Sequence, residues 1–223
     1  MTRRTGTTPG GRQPRFPGFD VLAQADHWDP VTRDVVLERL EPPGPLRFFT
    51  AEEAKTLDRL LDCILDQEAE PKVAVLAMID ERFAEGRLSG WHFKELPDDA
   101  QTFREIARGV EQTAQAYYER PFGELDTDQI QHVLEAIRTA SAPGEVWERL
   151  PSDRCWDVLM RYACEAFYAH PWAWNEIGFG GPAYPRGYAR LGLDMQEWWE
   201  VRDVAGSDPV TTSQRLESQD ERL

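Results

Sequence analysis

Apolar residues return every three or four positions over five stretches of the chain, and that period predicts five helices. The first opens at Thr50, with Glu53 three residues on, a pairing in which hydroxyl and carboxylate satisfy free amides of the first turn. Ala54, Leu57, Leu61, Ile64 and Leu65 then form one stripe. A second helix is placed from Pro71, with Val73, Ala77 and Phe83 inward and Gly86 as its stop. The third follows a cap at Pro97, Asp98 and Asp99, turns Phe103, Ile106, Ala107, Val110, Ala114 and Tyr117 inward, and ends before Pro121. The fourth starts at Asp126 with Gln129 as capping partner, buries Ile130, Val133, Leu134 and Ile137, and breaks at Pro143 and Gly144. The fifth covers about residues 152–169, with Trp156, Leu159, Met160, Ala163 and Phe167 on its apolar face. No stretch alternates as a strand would, and no repeat is visible. The fold class is therefore all-α, a compact bundle of about five helices.

The pattern fails between residues 170 and 190, where three prolines and four glycines stand among Trp172, Trp174, Phe179, Tyr184 and Tyr188. Neither a helical nor a strand period fits, so the expectation is an irregular aromatic, Gly- and Pro-rich C-terminal arm. Its rings argue against disorder, and they must bury either on the chain's own helices or on another molecule. Elsewhere, residues 1–15 read as a flexible tail and residues 16–45 as an extended arm, with a short helix over 32–40 stopped by Pro42, Pro43 and Pro45. Residues 46–204 form the helical domain, which closes with amphipathic turns around Trp198 and Trp199, and residues 205–223 read as a disordered tail.

Charge changes the picture in one respect. The 40 acidic residues outnumber the 25 basic ones, for a net charge of −15, which disfavours nucleic acid and anionic membrane surfaces as partners. No apolar run is long enough for direct membrane insertion. Three cysteines without a CxxC pair suit a reducing compartment. Arg3 and Arg4 are followed by no apolar stretch and no cleavage site, so a cytoplasmic location is expected unless a partner carries the chain out.

Candidate chemistry is sparse. His27, His92, His132 and His170 are scattered; only His27 and Asp29 lie close enough to offer two metal ligands, and a plain surface histidine is the simpler reading of that pair. His132 sits beside an apolar stripe, as a structural histidine would. Cys164 and His170 could pair as nucleophile and base, but Cys164 falls within an apolar helix where inert packing is the simpler reading. Glu176 is the acid to single out, either as an acceptor for a ligand or in an ion pair with Arg186 or Arg190. The glycines at 178, 180 and 181 lack the preceding strand and following helix of a phosphate-binding loop. Catalytic, metal and cofactor residues are thus expected to be absent from this chain.

Two stretches carry a resemblance. The run from His170 through Pro171, Trp172, Ala173, Trp174, Asn175, Glu176, Ile177, Gly178, Phe179, Gly180 and Gly181 to Gly187 and Tyr188, after a helix ending Ala166, Phe167, Tyr168, Ala169, resembles the C-terminal signature of the gluconate 2-dehydrogenase subunit 3 family. Phe49, Thr50, Ala51, Glu52 and Glu53, with the leucine-rich helix behind them, are similar to its N-terminal signature, and the likeness spans about residues 46–192. It implies a non-catalytic helical small subunit beside a larger FAD-dependent dehydrogenase of the glucose–methanol–choline type that oxidises a sugar or polyol, often with a cytochrome subunit. FAD is then expected in the partner. Members commonly carry a twin-arginine signal; this sequence departs from them there, which favours a soluble cytoplasmic complex.

Three functions follow. In the first, the arm docks a flavoprotein through His170, Trp172, Trp174, Asn175, Glu176, Phe179, Tyr184, Arg186 and Tyr188, residue types enriched at interface hot spots. In the second, the chain is an independent helical enzyme or carbohydrate-binding domain that uses the Trp-rich loop, since such rings stack on sugar faces. In the third, the arm only covers the chain's own helices.

Overall fold

The computed structural model describes residues 6–190 and 195–201. These form α1 (Pro30–Glu38), α2 (Ala51–Ile64), α3 (Val75–Ala84), α4 (Asp99–Tyr118), α5 (Thr127–Arg138), α6 (Glu145–Arg149), α7 (Ser152–Phe167) and α8 (Pro171–Ile177), with short 3-10 turns at Pro9–Gly11, Val21–His27 and Phe122–Glu124. No strand occurs among the described residues. The chain divides into two compact units, one of residues 41–170 and one that joins residues 1–40 to residues 171–223.

In the larger unit α4 is central, and α2, α5, α6 and α7 all pack against it. Phe103, Ile106, Val110 and Ala114 on α4 are buried, as their spacing requires. Around Phe103 the rings of Phe83 and Tyr162 meet edge-on at centroid distances of 5.2 and 5.4 Å, the arrangement that ring quadrupoles favour. The expected caps are present. Thr50 Oγ1 accepts from the Glu53 amide at 3.2 Å while Glu53 Oε2 accepts from the Thr50 amide at 2.9 Å. Asp126 and Gln129 repeat the exchange on α5 at 2.9 and 3.2 Å. Thr50→Ala is expected to cost about 1 kcal/mol, read as a lower denaturation midpoint; an unchanged midpoint would show that this cap does not hold α2.

The second helix departs from expectation. It begins at Val75, not at Pro71, and the intervening Val73 is held by the side chain of Gln67. Fully buried, its side-chain amide donates to the Val73 carbonyl at 3.1 Å and accepts from the Val73 amide at 2.7 Å. The Val73 carbonyl also accepts from the Val75 amide at 2.8 Å, a tight two-residue turn that a helix through Val73 would not make. A further helix, α6, follows the break at Gly144, and its Trp147 ring lies on Gly109 of α4, where a Cβ would overlap it. Trp147 Nε1 also donates to Thr113 Oγ1 at 2.8 Å.

Two buried carboxylates tie the larger unit together. Asp80 on α3 accepts the consecutive backbone amides of Arg47, Phe48 and Phe49 at 2.6, 2.9 and 2.9 Å, which seats the residues leading into α2. Asp99 accepts from the Arg161 guanidinium at 3.1 Å and from the Tyr162 hydroxyl at 2.7 Å, and so joins the start of α4 to α7.

The smaller unit is built from the two ends of its chain. Val21, Trp28, Val36 and Trp174 form its core. Asp29 caps α1 by accepting from the amides of Val31 and Thr32 at 3.1 and 3.3 Å. Residues 6–12, expected to be flexible from composition, are packed in place: Thr8 and Pro9 are buried and Arg12 pairs with Glu176. Polar segments order when a partner surface satisfies their backbone, and here Asn175 does so. The tail expected over 205–223 lies outside the described residues.

Candidate partner interface

The arm is not irregular throughout. Pro171 has the fixed φ and missing N–H that suit a first helical turn, and α8 runs from it to Ile177 before Gly178 turns the chain at φ 73°. The Phe179 amide then closes back on the Trp174 carbonyl at 2.9 Å, the six-to-one bond of a Schellman cap. Two turns of helix are too short to show a period, which is why the sequence pattern missed them.

The structure sorts the nine expected interface residues by exposure. His170, Trp174 and Asn175 are buried, and Trp172, Glu176 and Arg186 are half-buried. Phe179, Tyr184 and Tyr188 are 42%, 68% and 49% exposed. His170 is the last residue of the larger unit; the other eight belong to the smaller one.

Trp174, Asn175, Glu176 and Arg186 all have partners within the smaller unit. Asn175 Oδ1 accepts from the Val21 amide at 2.8 Å and its Nδ2 donates to the Thr7 carbonyl at 2.8 Å, so one side chain holds two stretches of the N-terminal segment. Trp174 packs on Val21, Trp28 and Val36 and meets the Phe179 edge at 5.4 Å. Glu176 pairs with Arg12 at 2.7 Å, and not with the Arg186 or Arg190 that sequence proximity offered. Arg186 lies over the Trp199 ring at 4.0 Å, donates to the Gln24 side chain at 3.2 Å and to the Pro182 carbonyl at 3.0 Å, and burial holds its pKa below the ordinary value. It acts as a clamp within the unit. Arg12 and Gln24 were missed because only the tertiary fold brings the chain's first residues to its last.

In the C-terminal stretch the large apolar residues left exposed are Ile177, Phe179, Tyr184, Tyr188, Met195 and Trp198, and on α1 of the same unit Val31, Val35 and Leu37 are exposed too. His27 meets the Trp198 ring edge-on at 4.8 Å. Six large apolar side chains are thus exposed over residues 177–198, and aromatic residues of this kind are enriched at interfaces.

Other chemistry finds little support. The spaces beside the glycines are filled by side chains: a Cβ on Gly178 would fall 2.7 Å from the Phe16 ring, on Gly180 2.6 Å from Trp199, and on Gly181 2.6 Å from Trp28. That turn receives rings and does not fit a phosphate. Asp29 is committed to its cap, with a pKa lowered first by the Thr32 side chain, and no group of three or more potential metal ligands occurs among the described residues. All three cysteines are free thiols. Burial pushes the Cys155 thiol up to about 12, so it is no nucleophile near neutral pH. Iodoacetamide at pH 7.5 is expected to spare Cys155 in the folded chain and to label it after unfolding; peptide mass mapping that found it alkylated in the native protein would show the site open. No described helix is long and apolar enough to cross a membrane.

Comparison with known proteins gives one match. The family model described as gluconate 2-dehydrogenase subunit 3 matches residues 51–181, from the first residue of α2 to the glycine turn after α8. No curated protein and no solved structure matches the chain.

Proposed function

The chain belongs to the gluconate 2-dehydrogenase subunit 3 family, and from that premise we propose that it is the non-catalytic accessory subunit of a flavin-dependent dehydrogenase or oxidase. A subunit of a dehydrogenase complex works in a heteromer with a larger catalytic chain. In this reading the larger chain is of the glucose–methanol–choline type, holds FAD, and oxidises a sugar, sugar acid or polyol. The small chain binds and stabilises it.

The observation that carries the reading is the family match over more than half of the chain. The exposed run of Ile177, Phe179, Tyr184 and Tyr188 supports it, because aromatic residues concentrate at interface centres and a monomer gains nothing by leaving them in water. The test is co-expression of the tagged chain with candidate flavoproteins, followed by affinity capture and absorbance spectroscopy. A captured larger chain with flavin bands is the expected result. One equivalent of flavin on the isolated chain, or capture of no flavoprotein, would overturn it.

A further inference from the structure

A groove of about 300 Å³ lies between α2 and α3 in the larger unit. Lys72 meets Asp62 at 2.6 Å and Asp80 holds the amides of residues 47–49, so the two helices run side by side in opposite directions. On this side both present small residues, Ala51 and Ala54 from α2 and Ala77 from α3, and the missing bulk leaves a trough. Leu46 and Leu76 complete its apolar wall. Asp58 lies in the lining two turns along α2 from Ala51, about 10 Å by helical rise.

Among the described residues no cation pairs with the Asp58 carboxylate and no group donates a hydrogen bond to it. Asp62, one turn on, takes Lys72 at 2.6 Å. Lys55, one turn back, lies along the Phe122–Glu124 turn, where a Cβ on Gly123 would fall 3.7 Å from its Cε. Burial raises the Asp58 pKa, and the Asp62 charge raises it further against a partial offset from Lys72. An acid so placed is stabilised by a cation brought from outside the chain.

The groove is at the lower end of the range for small-molecule sites, about 300–1,000 Å³, which suits one side chain and not a flavin or a nucleotide. An apolar trough ending at a carboxylate matches an aliphatic stem with a charged head, the build of lysine and arginine. The net charge of −15 makes a basic surface the complementary one for this chain. We infer that the α2–α3 groove is a docking site for a basic side chain of the larger catalytic subunit, with its stem along the alanines and its head on Asp58. This rests on the accessory-subunit reading above and adds a second docking surface to it, on the larger unit. All of the lining except Leu46 falls within the matched family span.

Two measurements on the full chain test it. The isotope-labelled protein is titrated with butylguanidinium and with its neutral analogue butylurea, read at the amide resonances of Ala54, Asp58, Ala74 and Ala77. Capture of the co-expressed flavoprotein is compared for the unaltered chain, Asp58→Asn, Asp58→Lys, and Asp128→Asn, an exposed acid on α5 that controls for net charge. The expected result is saturable shifts with the cation alone, lost in Asp58→Asn. Capture weakens about tenfold or more in Asp58→Asn and further in Asp58→Lys, and Asp128→Asn leaves it unchanged. The melting temperature does not fall in Asp58→Asn; a fall would show the carboxylate committed within the chain and overturn the site. Equal shifts with butylurea, shifts that survive Asp58→Asn, or capture unchanged by both Asp58 variants would each overturn the docking site and leave the accessory-subunit reading intact. Capture of no flavoprotein by the unaltered chain would overturn that reading and the partner named here together.

Discussion

Trp174→Ala is expected to destabilise the smaller unit by about 3–5 kcal/mol, the usual loss when a buried indole becomes a cavity. The ring is 5% exposed and sits among Val21, Trp28 and Val36, so its removal opens the core that holds the two ends of the chain together. The measurement is thermal unfolding of the full chain, with hydrogen exchange at the Val21 amide to assign the loss to this unit. Tyr184→Ala is the control. At 68% exposure it should shift stability by no more than about 0.5 kcal/mol while lowering flavoprotein capture. A melting temperature unchanged by Trp174→Ala would show that the ring is not a core residue.

Asp80→Ala is expected to cost about 3 kcal/mol or more in the larger unit. The carboxylate is the acceptor for three consecutive backbone amides, and each buried donor left unpaired costs about 1–3 kcal/mol. Water can reach Arg47 and recover part of that, whereas the Phe49 amide is buried and cannot. Asp80→Asn keeps one acceptor oxygen and turns the other into a donor facing an N–H, so it should fall between the wild type and Asp80→Ala. Denaturant unfolding of the three chains gives the comparison. A loss below about 1 kcal/mol for Asp80→Ala would mean that the segment before α2 is held by its rings alone, through Phe49 against Phe83.

The long helices were legible because their information is local. Thr50 with Glu53 and Asp126 with Gln129 mark helix starts within four residues, and the stripes on α4 and α5 repeat often enough to fix a face. Failures occurred where a side chain outside the helix itself decided the outcome. Pro71 suited a first helical turn, but Gln67 had already claimed the Val73 backbone. The α6 helix is five residues long and shows no period; what defines it is Trp147 lying on Gly109. Asp80 looked like one acid among 40, since nothing in sequence distinguishes the carboxylate that meets three amides from those that meet water.

The candidate interface divides in the same way. Sequence singled out the aromatic stretch after residue 170, because glycines, prolines and rings in that density fit no regular element, and it also carried the family resemblance that the match over residues 51–181 supports. It could not say which rings face inward. Trp174 and Tyr188 are both aromatic residues of one Gly- and Pro-rich stretch, yet one is in a core and the other is half exposed, because Val21, Trp28 and Val36 arrive from the far end of the chain to cover the first alone. Periodicity and capping act over a few residues and are written in order along the chain. Burial in the smaller unit depends on segments more than 150 residues apart, such as Asn175 with Thr7, and only the closed tertiary structure decides which of them meet.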